Sequence, residues 1–100
     1  MHHRKRIEIV VERVRADDVT DLLDRLGATG WTILPVLSGR GRRGVRLGGD
    51  LSGVLDNVVI VCIASEAVTA RVLDASDELL GARPAIVSIT DCTVLRADHF

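Results

Sequence analysis

The most concentrated chemistry in this 100-residue chain lies in its arginines and glycines. The run SGRGRRGVRLGGDLSG, Ser38 to Gly53, holds Arg40, Arg42, Arg43 and Arg46 together with six of the nine glycines. Guanidinium groups make forked, charge-assisted hydrogen bonds to phosphate or carboxylate oxygens. Glycines let successive main-chain amides converge on one anion. The pair of features is that of a site for a small phosphate-bearing ligand. The plain alternative is a solvated loop whose arginines serve only solubility.

Two sharper readings of the same run fail. Residues 39–44 match G-x-G-x-x-G, but the dinucleotide fingerprint opens a helix and has an acid about 20 positions further on. Here Val45, Arg46, Leu47, Gly48 and Gly49 follow, with no helical periodicity. Arginine-dense segments also bind nucleic-acid backbones. Bases would find nothing to stack on in this loop, because the chain has no Phe or Tyr between Met1 and His99. No nucleic-acid partner is expected.

Other reactive side chains do not assemble into a catalytic set, and no enzyme is expected. His2, His3 and His99 all sit in terminal segments, the first two read as a frayed end. Asp17, Asp18, Asp21 and Asp24 fall on the polar face of a helix. Asp50 and Asp91 are the acids that could serve a metal near the loop, through a bound nucleotide. Cys62 and Cys92 lie in apolar runs, where cysteine acts as a small hydrophobe.

The elements that must position the loop follow from periodicity. Arg6 to Arg13 alternates, with Ile7, Ile9 and Val11 on one face, and predicts a strand. Asp17 to Leu26 carries Val19, Leu22, Leu23 and Leu26 at helical spacing, acids at its start and Gly27 as its stop. Trp31 to Leu37 predicts a second strand, placed at an edge or bulged by Pro35. Asn57 to Ala64 predicts a third, apolar on both faces. Ser65 caps a helix over Glu66 to Leu80, striped by Val68, Val72, Ala75 and Leu79 and stopped by Gly81. Ala85 to Leu95 predicts the fourth strand. The triplet Leu-Gly-Ala closes each helix, at 26–28 and again at 80–82.

The order βαβ–βαβ in one domain, residues 1–100, predicts an α+β ferredoxin-like βαββαβ sandwich. Helices on one side leave the other sheet face open, yet Val59, Val61 and Ile63 are as apolar as Val58, Ile60 and Cys62. Leaving several aliphatic side chains in water forfeits several kcal/mol at ~25 cal/mol per Å², so an oligomer joined through that face is expected. The third and fourth strands flank the first, which separates the cysteines by roughly 10 Å, against the ~7 Å limit for a disulfide. Two free thiols are expected. A net charge of −1 and the lack of a signal-like or membrane-length apolar run point to the cytoplasm.

That order, the phrase GATGWTI (Gly27–Ile33), the Gly-Arg loop after the second strand and the closing TDCTVLRADHF resemble the PII signal-transduction superfamily over nearly the whole chain. Within it, the chain is most similar to the PII-like branch of inorganic-carbon regulators and carboxysome-associated proteins. The resemblance implies a homotrimer with its sheets facing inward and adenine nucleotides in the clefts between subunits. It implies a T-loop, residues 40–56 here, that changes shape with ligand and contacts a target protein. The target would be a bicarbonate transporter or another carbon-acquisition component, which would recruit the protein to the membrane.

By the same resemblance, Gly39, Arg40, Gly41, Arg42 and Arg43 form the loop base that holds phosphate, Thr32 and Ile63 lie against adenine, and Arg96 reaches the nucleotide across the subunit interface. The phosphate-binding glycine-lysine loop of nitrogen-type members is reduced to Gly81-Ala82-Arg83-Pro84, where Arg83 alone replaces the charge. That reduction favours ADP or AMP over ATP, with cyclic AMP a further candidate and bicarbonate a co-ligand. The chain has no tyrosine, so uridylylation does not work the switch. The alternative within the same fold is a trimeric divalent-cation-binding protein like the cation-tolerance proteins.

Overall fold

The structure is a computed structural model that describes residues 1–41, 44–47, 57–81 and 85–100, with only the backbone at 39, 41 and 44–47. Six strands appear among them: β1 (His2–Glu12), β2 (Thr32–Pro35), β3 (Ser38–Gly41), β4 (Gly44–Leu47), β5 (Asn57–Ala64) and β6 (Ile86–Val94). The helices are α1 (Ala16–Arg25), α2 (Glu66–Asp74) and α3 (Ser76–Leu80), with 3-10 turns at Arg13–Arg15 and Ala97–His99. The main sheet is antiparallel in the order β2-β5-β1-β6, and β3 pairs with β4 in a separate hairpin. This is the expected α+β sandwich, with Pro35 on an edge strand.

Alternation sorts the sheet into two faces. Ile7, Ile9 and Val11 stand opposite Cys62, Ile60 and Val58 and are buried under the helices. Val19, Leu22 and Leu23 of α1, with Val68, Val72 and Leu79 of α2 and α3, close that core. Among the described residues no α-helix packs on the outer face. There Leu34, Val59, Val10 and Ile86 form one row across all four strands. Leu34 is 45% and Ile86 67% exposed, so this row is the unfilled apolar surface that the sequence required.

Several boundaries moved. β1 starts at His2, not Arg6: His2 and His3 pair with Val94 and Thr93, so this end is held in the ladder and not frayed. The helix expected over Glu66–Leu80 breaks at Ala75, which leaves helical geometry at φ −94, ψ 18. Its apolar stripe continues through the break, with Val68, Val72 and Leu79 all buried. Trp31 is 39% exposed, and its Nε1 donates to Asp24 Oδ1 at 3.0 Å. The cysteines are free, as expected, and they also face opposite ways: Cys62 is level with Ile7 on the core face, Cys92 with Arg4 on the outer face. Burial raises the Cys62 thiol pKa and leaves it inert.

The Leu-Gly-Ala repeat has a structural meaning. Gly27 and Gly81 adopt positive φ, +96° and +58°. Ala28 N–H reaches Leu23 and Gly27 N–H reaches Asp24, a glycine helix stop. Each stop is then held by an arginine from the other half of the chain. Arg71 Nε donates to Leu26 O at 2.8 Å, while Arg15 donates to Leu79 O and Leu80 O at 2.8 and 3.1 Å. A Cβ at Gly27 would lie 3.0 Å from Arg71 Nη2. Gly27→Ala is therefore expected to cost about 1–2 kcal/mol, read as a lower Tm in a thermal melt.

Candidate functional site

The glycine-arginine run begins as a hairpin. Ser38 pairs with Leu47, Gly39 with Arg46, Arg40 with Val45 and Gly41 with Gly44. Arg42 and Arg43, which connect the strands, lie outside the described residues, as do 48–56 with Asp50, and Arg83. The sequence divides the run into a base ending at Arg43 and a mobile arm from Gly44. The ladder instead joins Gly44–Leu47 to the base. An antiparallel pair engages alternate residues, so some amides of Ser38–Gly41 still face away from β4. Arg40 is exposed.

Register places the remaining candidates. Thr32 stands opposite Val61 on the outer face, and Ile63 is the next outward residue along β5. The two share one patch of the β2–β5 surface: Thr32 exposed, Ile63 half-buried and level with Arg6. Arg6 approaches Glu8 at 3.9 Å on that same face. The threonine hydroxyl beside an aliphatic wall can accept or donate to the edge of a flat heterocycle that lies on the isoleucine.

The ends of the sheet separate the arginines. Pro35 is level with Val58, Asn57 with Glu12 and Val10 with Ile86. The hairpin, the Arg13–Arg15 turn and the connection before β6 therefore leave at one end. Arg96 follows Val94, which pairs with His2 at the other end. The 11 residues of β1 span that length, roughly 36 Å at ~3.3 Å per residue. One protomer thus brings together Thr32 and Ile63, and sets Arg96 far from Gly39, Arg40 and Gly41.

Asp91 lies away from the hairpin of its own protomer. It is held by Lys5 in an ion pair on β1–β6, away from the hairpin end. The hydrogen bond and charge of Lys5 lower the Asp91 pKa, and those of Asp91 raise that of Lys5. Among the described residues no three His, Cys, Asp or Glu side chains gather as a metal site. No helix among them is long and apolar enough to cross a membrane.

The closing segment carries a feature that residue types did not reveal. Ala97–Phe100 is docked: Arg4 Nε donates to Phe100 O at 3.2 Å and Thr29 Oγ1 to His99 O at 2.6 Å. The acceptors are main-chain oxygens, which every residue has, so composition carries no mark of the docking.

Residues 4–99 match the family model of the nitrogen regulatory protein P-II. CPII, a nitrogen regulatory PII-like protein from Thiomonas intermedia K12 solved with ADP, AMP and bicarbonate, is 30% identical, with a TM-score of 0.87 over 99% of this chain and 94% of that one. A PII-like signalling protein from Thermus thermophilus is 29% identical, with a TM-score of 0.80 over 96% and 93%. The GlnK–ATP complex of B. subtilis, 16% identical with a TM-score of 0.62 over 90% and 82%, shares the fold. No curated protein matches the sequence.

Proposed function

This chain belongs to the nitrogen regulatory protein P-II family, and from that premise we propose that it is a homotrimeric PII-like sensor of adenine nucleotides, regulatory and not catalytic. The observation that supports this reading is that Arg96 and the hairpin leave the sheet of one protomer at opposite ends. The Thr32–Ile63 wall and the hairpin of Gly39, Arg40 and Gly41 belong to one copy, and Arg96 of a second copy completes the cleft. In that cleft adenine lies on Ile63 with Thr32 at its edge. Phosphate meets Arg40, Arg42 and Arg43, with Arg83 from the neighbouring connection. The ligands of CPII support ADP or AMP as the nucleotide and bicarbonate as a co-ligand of the guanidinium groups.

Phosphate would then set the shape of the 40–56 segment, as ligands order switch segments elsewhere. That segment meets the target, a bicarbonate transporter or another carbon-acquisition component. The protein itself stays in the cytoplasm unless the target draws it to the membrane.

A thermal-shift screen tests the reading. Ligand at ~100 times its Kd stabilises by about 2.7 kcal/mol, a Tm rise of several degrees. ADP and AMP are expected to produce it. Stabilisation by copper or zinc alone would favour the cation-binding alternative. Calorimetry tests the finer preference: with only Arg83 in place of the glycine-lysine loop, ATP is expected to bind no tighter than ADP. ATP binding tighter by about tenfold, ~1.4 kcal/mol, would overturn the preference.

A further inference from the structure

We propose that Arg4 is a positioning residue for Arg96; this deepens the nucleotide reading and rests on it. β6 leaves the sheet after Val94, and Arg96 is extended at φ −123, ψ 117 before the Ala97–His99 turn. A short terminal segment of this kind frays unless something ties it down. Here the ties come from Arg4. Its Nη2 donates to Ala97 O at 3.4 Å and its Nε to Phe100 O at 3.2 Å, so one guanidinium holds both ends of the turn. Its Nη1 donates to His3 O at 2.7 Å, which fixes the direction of the guanidinium itself. Phe100 N–H closes the turn on Ala97 O at 3.2 Å.

The consequence falls on Arg96. Its backbone runs between two fixed points, the Val94–His2 pair and the clamped Ala97 carbonyl. Its own side chain is exposed. A guanidinium presented from an ordered backbone loses less freedom when it takes hold of an anion. Thr29 extends the device. Its bond to His99 O ties the turn to the loop that leads into Thr32, so the tail is located relative to the adenine wall of its own chain. Three of the five N–H donors of Arg4 face main-chain oxygens.

Calorimetry with ADP on the full-length protein tests this, alongside light scattering. Arg4→Ala is expected to weaken ADP by about tenfold, the scale of one or two lost hydrogen bonds, with the assembly unchanged. Arg96→Ala is expected to weaken it at least as much, and adding Arg4→Ala to Arg96→Ala should weaken it no further. Thr29→Val, which removes a single bond, should act in the same direction and less, and it replaces Arg4→Ala in the cycle if that variant does not fold. Hydrogen exchange at the Phe100 amide, which closes the turn on Ala97 O, should be faster in both clamp variants. Faster exchange with unchanged ADP affinity would overturn the positioning role alone, as would effects of Arg4→Ala and Arg96→Ala that simply add. Failure of the unmodified protein to bind either ADP or AMP would overturn the nucleotide reading and this role with it.

Discussion

Val59→Asp is expected to separate the trimer into folded monomers. Val59 sits in the middle of the outward row Leu34–Val59–Val10–Ile86, on the face that no α-helix among the described residues covers. In a monomer the new carboxylate would stand in water, and the cost would be a weaker strand former, within the ~1 kcal/mol span of strand propensities. In a trimer with its sheets inward, three copies of that carboxylate would be desolvated close together. Each buried, unpaired charge costs several kcal/mol, and their mutual repulsion adds to it. Light scattering should read one-third of the starting mass while circular dichroism stays native. Val59→Thr, similar in shape and uncharged, should remain trimeric. ADP binding should disappear with the trimer, since Arg96 and the hairpin of one chain lie at opposite ends of its sheet. A Val59→Asp protein that keeps its trimer mass would show that another surface joins the subunits.

The open apolar face was legible in the sequence because it follows from a conflict between two simple demands. Asn57–Ala64 is apolar at every position but its first, and two helices can cover one face only. The four main strands and two helical segments were legible for similar reasons: period-two and helical spacing recur in runs long enough to be told apart. The start of β1 was not. His2, His3, Arg4 and Lys5 have no apolar alternation, and they are held in the ladder by β6, a partner more than 80 residues away. The break at Ala75 was also invisible, because the buried stripe runs through it. The reciprocal arginine caps show how a repeat can be seen without its reason: Leu-Gly-Ala stands out twice, while Arg15 and Arg71, which hold the two stops, look like ordinary surface cations.

The candidate site divides along similar lines. Thr32 and Ile63 were assigned separately, through resemblance, and strand register puts them on one patch. The hairpin was missed because glycine and arginine have little strand propensity, so pairing of Ser38–Gly41 with Gly44–Leu47 has no signature in composition. Arg4 was missed because what it recognises is main chain. Asp91 was misplaced because a lone acid in a strand says nothing about its cross-strand neighbour, which turned out to be Lys5.

Replacing Arg42 and Arg43 together by alanine is expected to abolish the ADP-dependent rise in Tm while leaving the trimer intact. Hydrogen bonds to charged groups are worth about 1.5–3 kcal/mol each. Losing one from each arginine predicts an affinity loss of at least about a hundredfold. Structural damage is not the expected cause of that loss, since in sequence these residues join β3 to β4, a hairpin separate from the main sheet. The ionic-strength dependence gives a second readout. Binding to the unmodified protein should weaken with added salt, and residual binding to the variant should respond less, because exposed charge pairs are the screened component. Arg40, on β3 itself, would retain part of the interaction; adding Arg40→Ala should remove what remains. If the Tm rise survives even with Arg40 replaced as well, phosphate is held elsewhere, and Arg83 becomes the residue to replace. Survival would also detach the hairpin from ligand sensing, since a loop that does not touch the nucleotide has no differential contact through which its shape could be set.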